Sequence, residues 1–214
     1  MKTILILGAH GATAQIVTNR LLKETADQLK LYLRNPQRLK QFADNPRVEL
    51  IDGNTESVAA LTQAMQNVDL VYSNVGGVNL AKSTQAILTA MTQAGVKRLI
   101  FFSALGARHE VPGKFGAWNE QAIADYLPGF RKSAELLDAA ANIDTTEIRP
   151  AWLTDYNEID YELTGSHDAF KGTEVSRQSV ADLIVKIIKD PRLYENDSIG
   201  IDKPNTDGAQ PAWI

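Results

Sequence analysis

The stretch that decides the fold is Thr3-Ile4-Leu5-Ile6-Leu7-Gly8-Ala9-His10-Gly11-Ala12-Thr13-Ala14. Residues 4–7 form an apolar run without polar alternation, which predicts a strand buried on both faces, as in a parallel sheet. Two glycines three residues apart follow, and then a helical pattern runs from Gln15 to about Ala26 with its apolar side chains on one face. Strand, glycine turn and helix in this order are typical of the first βαβ unit of a doubly wound fold.

The small residues of this turn have separate roles in the predicted unit. Gly8 lets the chain turn sharply off the strand, Gly11 leaves room for a phosphate beside the backbone, and Ala14 allows the helix to pack close to the strand. The helix N-terminus offers N–H groups and a positive dipole end to an anion. The spacing Gly-x-x-Gly-x-x-Ala therefore predicts a binding site for the pyrophosphate of a dinucleotide. The alternative is a glycine turn that holds no ligand.

Composition narrows the class of protein. A chain of 214 residues can bury one sizeable core, and its net charge of −4 argues against nucleic acid as the main partner. The absence of cysteine excludes a disulfide framework, thiol catalysis and cysteine-ligated metals. No apolar run approaches the roughly 18 residues that span a bilayer, and the first run is too short for a signal peptide. We therefore expect a cytoplasmic protein with no membrane partner.

Predicted strands and helices alternate with short connections. This pattern predicts an α/β fold with a doubly wound parallel sheet, strand order 3-2-1-4-5-6, and a short C-terminal addition. We expect a single domain over residues 1–214, to which residues 151–214 contribute a small substrate-side region. The segment Gly106–Gly129 carries four glycines and two prolines and is predicted to be irregular. Ligands bind such sheets at the carboxyl ends of the strands.

Several short motifs occur in an order that resembles a known family. They are Gly8–Ala14, Leu33-Arg34-Asn35-Pro36, Asp52-Gly53-Asn54, Asn74-Val75-Gly76-Gly77, Arg98–Ser103, Thr146–Pro150 and Ser176–Ala181. Over roughly residues 1–190 the chain resembles the atypical short-chain dehydrogenase/reductase superfamily, and within it the NAD(P)H-binding proteins related to NmrA and to biliverdin reductase B. The resemblance implies a Rossmann fold that binds NAD(P). Members of this group include reductases, isomerase-like proteins and redox sensors with little or no turnover.

The residue at the end of the second predicted strand bears on the choice of cofactor. NAD-binding Rossmann proteins usually have an acid there for the ribose 2′-hydroxyl, whereas this chain has Arg34, which can pair with a 2′-phosphate. NADP(H) is therefore the preferred cofactor, with NAD(H) as the alternative. Arg38 is a second candidate for the phosphate. The full set of predicted cofactor-binding residues is Gly8, His10, Gly11, Ala12, Thr13, Arg34, Asn35, Asp52, Gly53, Asn74, Gly76, Ser103, Lys132 and Pro150.

The resemblance also implies where catalytic groups would lie. Full members of the superfamily use a serine with a Tyr-x-x-x-Lys pair, whose spacing lets the lysine act on the tyrosine. Ser103 and Lys132 occupy the corresponding positions, but Pro128 stands four residues before the lysine, so the tyrosine is missing. Tyr126 and His109 are the candidate proton donors, and the third alternative is that water supplies the proton. Each of the four candidates can also be read as an ordinary packing or surface residue.

Two functions fit these observations. The first is an NADP(H)-dependent oxidoreductase acting on a small, unknown, apolar or aromatic substrate between the nicotinamide and residues 107–130, with Trp152 and Leu153 lining the pocket. The second is a regulatory protein that senses the NADP(H) balance. The three histidines show no metal-ligand spacing, which predicts no catalytic metal. The oligomeric state is left open, with a homodimer among the alternatives.

Overall fold

The fold described here is that of a computed structural model that covers all residues from 1 to 214. Its centre is an eight-stranded sheet in the order β3-β2-β1-β4-β5-β6-β10-β8. The strands are β1 (Thr3–Leu7), β2 (Gln28–Leu33), β3 (Val48–Asp52), β4 (Leu70–Ser73), β5 (Arg98–Phe102), β6 (Asp144–Pro150), β7 (Trp152–Thr154), β8 (Glu162–Thr164), β9 (Glu174–Ser176) and β10 (Asp197–Asp202). The predicted order of the first six strands is confirmed.

The C-terminal third of the chain extends this sheet. β10 pairs in parallel with β6, and β8 closes the edge in antiparallel orientation. β7 and β9 form a separate two-stranded parallel sheet just beyond the carboxyl end of β6. The residues after 150 therefore share the core of the main sheet and also build a small layer beside its carboxyl edge.

Helices cover both faces of the sheet. They are α1 (Ala12–Glu24), α2 (Val58–Ala64), α3 (Leu80–Ala94), α4 (Gly113–Ala122), α5 (Leu127–Asp138) and α6 (Arg177–Lys189). Alternate residues of β1 point to opposite faces, so Ile4 and Ile6 pack with α1 and α6, whereas Leu5 and Leu7 pack with α2 and α3. This two-sided burial is the reason for the unbroken apolar run. None of the helices is both long enough and apolar enough to cross a bilayer.

The structure corrects one expectation. The segment Gly106–Gly129 is not irregular throughout, because it contains α4, whose N-terminal glycine has a φ of +64°. Pro112 and Pro128 lie at the starts of α4 and α5, where proline is tolerated, whereas Gly116 is inside α4. After β2, the residues Pro36–Phe42 form a 3-10 segment that buries only Leu39 and Phe42.

Candidate functional site

A cleft of about 450 Å³ lies at the carboxyl edge of the sheet, where the chain leaves β1, β2, β3 and β4. This is the place at which the strand order reverses, between β1 and β4, and where ligands of doubly wound sheets bind. Of the predicted cofactor-binding residues, Gly8, His10, Gly11, Arg34, Gly53, Asn74 and Gly76 line the cleft. Residues from four separate loops, those after β1, β2, β3 and β4, therefore meet in one cleft.

Backbone geometry explains the two glycines of the first loop. Gly8 has a φ of +68°, and a Cβ at this position would lie 2.8 Å from the Asn74 carbonyl oxygen. A Cβ on Gly11 would overlap the side-chain amide of Asn74, whose Oδ1 accepts a hydrogen bond of 2.7 Å from the Tyr72 hydroxyl. Burial raises the pKa of Tyr72 well above its ordinary value, so its hydroxyl stays protonated and donates. Gly11 therefore allows the loop and the end of β4 to approach each other closely.

The N-terminus of α1 opens beside this loop. Gly11 is the N-cap and has no side chain to bond the first turn, which also contains no acidic residue. The first intrahelical hydrogen bond runs from the Gln15 N–H to the Gly11 carbonyl, at 2.9 Å. The preceding N–H groups, those of Ala12, Thr13 and Ala14, have no acceptor within the helix. Such an end favours a phosphate group.

Positive side chains stand at the adjacent corner of the cleft. Arg34 follows β2 and Arg38 lies one turn later, and both are exposed and line the cleft. Neither forms an ion pair with an acid, whereas twelve of the other cationic side chains do. Arg38 Nη2 instead lies 2.7 Å from His10 Nδ1. Two guanidinium groups are thus available to an anion.

Asp52 and Asn35 are the chain neighbours of two residues that line the cleft, Gly53 and Arg34. The Asp52 carboxylate accepts a hydrogen bond of 3.2 Å from the Asn35 N–H, and Asn35 has a φ of +59°. Neither residue lines the cleft. Gly53 does, and a Cβ there would overlap the ring of Tyr32, whose hydroxyl donates to the Asn54 carbonyl at 3.0 Å. Burial and the nearby charge of Asp52 raise the pKa of Tyr32.

Ser103 lies immediately after β5, beside the end of β4. It is 2% exposed, and its hydroxyl has no hydrogen-bond partner within the protein. The same holds for Ser73, the last residue of β4. Buried hydroxyl groups are usually satisfied, so a pair of unsatisfied ones at the ligand edge indicates a place for a polar ligand or water.

Ser103 does not line the cleft, and neither do the other three catalytic candidates, which lie apart from one another. Lys132 is on the exposed side of α5, where its ammonium pairs with Glu135 at 2.7 Å. Tyr126 precedes α5 and is 45% exposed. His109 is exposed in the loop after β5, with a φ of +58°. Pro150, also predicted as a ligand, is buried at the end of β6, and its carbonyl accepts the Leu105 N–H at 3.2 Å.

A buried ion-pair network holds the loop that follows β5. The Arg149 side chain is fully buried and pairs with Glu110 at 2.5 Å, while Glu110 also accepts the N–H groups of Gly106 and Arg108. Arg149 Nε donates to Ser198 Oγ at 2.8 Å. Through these contacts β6 and β10 fix the loop beside Ser103. The motif ending β6 thus has a structural role that local pattern alone did not reveal.

Several residues of the cleft were not predicted from the sequence. Tyr32, Asn54, Thr55 and Ser83 all line it, and Thr55 Oγ1 lies 3.0 Å from Ser83 Oγ. Tyr32 belongs to β2 and Ser83 to α3, so no spacing in the sequence connects them. Asn54 and Thr55 could have been predicted from their position in the chain alone, since they come directly after β3.

The fold and the cleft together define a dinucleotide-binding Rossmann protein. The family model described as NAD(P)H-binding matches residues 8–191, and the chain belongs to this NAD(P)H-binding family. A Rossmann-fold NAD(P)-binding family protein from Shigella flexneri is 39% identical, with all of each chain covered and a TM-score of 0.83. A short-chain dehydrogenase/reductase from Veillonella parvula DSM 2008, solved in complex with NADP, is 30% identical with 99% of each chain covered and a TM-score of 0.92.

A curated relative matches a smaller part of the chain. Averufin oxidase A of Aspergillus flavus is 28% identical over 108 residues, which are 44% of this chain and 38% of the relative. This match therefore spans well under half of that protein.

Proposed function

We propose that the protein is an oxidoreductase that uses NADP(H) and transfers hydride between the nicotinamide and a small acceptor. The observation that carries the proposal is the pair of unpaired guanidinium groups, Arg34 and Arg38, at the cleft corner next to the glycine loop. The V. parvula relative in complex with NADP supports the same choice of cofactor.

The residues fit this cofactor. Pyrophosphate binds the N–H groups at the start of α1, and the 2′-phosphate binds the guanidinium of Arg34, which can form two hydrogen bonds to it. The backbone at Gly76 and Gly77 is open, since a Cβ at either position would meet nothing within 4 Å. This open backbone would leave room for the nicotinamide half of a bound cofactor on the side of Ser103. The bound cofactor supplies hydride chemistry, and the unsatisfied Ser103 hydroxyl orients a polar group beside it.

We place the acceptor on the far side of Ser103, against the layer formed by α4 and β7. Aromatic rings cluster there, with Trp118 and Trp152 centroids 4.8 Å apart and Trp152 and Trp213 centroids 6.3 Å apart. The Trp152 Nε1–H donates to Asn119 at 2.9 Å, which fixes the ring. This surface favours a small apolar or aromatic acceptor.

The second candidate is a regulatory protein that binds NADP(H) without turnover. It is favoured by the position of Lys132, whose ammonium pairs with Glu135 on the exposed side of α5, and by the absence of a tyrosine one turn before it. Oxidation of NADPH, followed by its absorbance with flavins, quinones and carbonyl compounds as acceptors, distinguishes the two. Tight NADPH binding without turnover on any acceptor would favour the regulatory protein.

The cofactor assignment is tested by charge reversal. Arg34→Asp replaces a phosphate-pairing cation with an anion, and a charge-assisted hydrogen bond contributes about 1.5–3 kcal/mol. We expect the Kd for NADPH to rise about ten- to a hundredfold and the Kd for NADH to change much less. Arg192→Asp is the control, because Arg192 is 86% exposed near the amino end of β5. Equal losses for both dinucleotides would contradict the 2′-phosphate assignment.

A further inference from the structure

The contact between His10 and Arg38 joins the glycine loop to the basic corner of the cleft. Arg38 Nη2 lies 2.7 Å from His10 Nδ1. A guanidinium can only donate hydrogen bonds, so Nδ1 is the acceptor and the ring proton is on Nε2. The imidazole therefore contacts Arg38 as a neutral acceptor and does not add a charge of its own.

His10 and Arg38 differ in how strongly other contacts fix their positions. The His10 carbonyl accepts a hydrogen bond of 2.8 Å from Gln15 Nε2, and the next residue, Gly11, donates its N–H to the Gly8 carbonyl at 2.9 Å. The His10 backbone is therefore fixed at the start of α1. Arg38 is exposed on a short 3-10 segment, and a long side chain there has many rotamers unless a partner selects one.

The charges around the pair leave Arg38 available. The charged side chains that line the same cleft are Arg34, Arg38 and Glu56, and neither arginine is paired with an acid. The nearby Asp52 carboxylate bonds the Asn35 N–H instead. His10 thus supplies an acceptor that orients a guanidinium without neutralising it, which an acidic residue in its place would not do.

We propose that His10 is a positioning residue for the recognition of the ribose 2′-phosphate. Its Nδ1 holds Arg38 at the corner where Arg34 also stands, so the preference for NADPH over NADH depends on the His10 side chain. This inference rests on the proposed use of NADP(H). The pyrophosphate is bound by main-chain N–H groups, and removal of the imidazole leaves that part of the site intact.

The test measures the Kd of NADPH and of NADH by titration calorimetry for the wild type, His10→Ala, His10→Asn, Arg38→Ala and the double variant His10→Ala/Arg38→Ala. Loss of a partner that immobilises one side chain is expected to weaken NADPH binding about two- to tenfold in His10→Ala. NADH binding should change less than about twofold. His167→Ala, an exposed histidine in another loop, is the matched control and should leave both affinities unchanged.

Two further results distinguish positioning from a direct contact. The Asn side chain carries an acceptor oxygen near the position of Nδ1, so His10→Asn should restore most of the NADPH affinity. The double variant should bind NADPH as weakly as Arg38→Ala alone, because His10 acts only through Arg38.

The opposite results overturn the inference. If the two single losses multiply in the double variant, or if His10→Asn is as weak as His10→Ala, His10 contacts the phosphate independently. If His10→Ala weakens NADH as much as NADPH, the residue only supports the loop. A wild type that binds both dinucleotides equally overturns this inference and leaves dinucleotide binding intact. A wild type that binds neither overturns the proposed function itself.

Discussion

Replacement of Arg149 by methionine tests the buried network that fixes the loop beside the site. The Arg149 side chain has no exposed surface, and its guanidinium pairs with Glu110, which is 4% exposed. It also donates to Ser198 Oγ at 2.8 Å and to the Gly165 carbonyl at 3.2 Å. Methionine keeps much of the length and apolar volume of the side chain. The substitution therefore removes the charge and the hydrogen bonds while leaving most of the packing.

The expected loss of stability follows from the unpaired charge that the substitution leaves buried. Glu110 retains the N–H groups of Gly106 and Arg108 but loses its counter-charge inside the protein. Breaking a buried pair by removing one partner costs about 3–5 kcal/mol, because an uncompensated charge remains buried. In a protein of this size, 1 kcal/mol corresponds to about 2–4 °C in Tm. We therefore expect Arg149→Met to lower Tm by about 6–20 °C.

The assay is thermal and urea unfolding followed by circular dichroism at pH 7. Arg192→Met is the matched control, since the Arg192–Asp190 pair is exposed and such pairs contribute about 0–1 kcal/mol. Adding Glu110→Gln to Arg149→Met removes the stranded charge and should recover part of the lost stability. The reasoning is refuted if Arg149→Met unfolds at the same temperature as the control, or if the double variant is no more stable than Arg149→Met.

Two other substitutions test the glycine loop and a buried acid. Gly11→Val places a side chain against the amide of Asn74. Such overpacking costs about 1–3 kcal/mol and should weaken the binding of NADPH and of NADH alike, by about tenfold. Unchanged affinities in a calorimetric titration would exclude the loop from the site. Burial raises the pKa of the Asp202 carboxyl from 3.8 to about 6, so the group favours folding below pH 4 and this contribution is lost as the pH rises through 6. The free energy of unfolding of Asp202→Asn should therefore rise relative to that of the wild type between pH 4 and 6, and the difference should stay constant above pH 6. Urea unfolding at several pH values measures this difference. A difference that does not vary with pH would contradict the shifted pKa.

Much of the fold was predictable because it depends on local patterns. An apolar run such as Ile4–Leu7 has to be buried on both faces, and the alternation of such runs with helical patterns specifies a parallel sheet. Gly8 was identifiable because few other residues adopt its φ of +68°. Helix α4 was missed because its glycines and its flanking proline resemble those of a loop.

Some residues of the cleft were likewise predictable from local sequence, and others were not. Residues that directly follow a strand, such as Arg34 and Asn74, could be assigned from their order in the chain, since parallel strands present their carboxyl ends at one edge. Tyr32 and Ser83 could not, because they reach the cleft from within a strand and a helix. The position of Lys132 was also undecided, because only the packing of α5 decides that Ser133 and Leu137 are buried and Lys132 is exposed.

By itself, the amino-acid sequence determined the glycine loop and the cations available to a dinucleotide, because these depend on residues close together in the chain. The strand order followed from the regular alternation of strands and helices, which is typical of a doubly wound sheet. Only the tertiary structure decided which distant side chains meet. The contact of His10 with Arg38 and the burial of Arg149 against Glu110 join residues 28 and 39 positions apart. Such contacts depend on how layers pack, and no local periodicity records them.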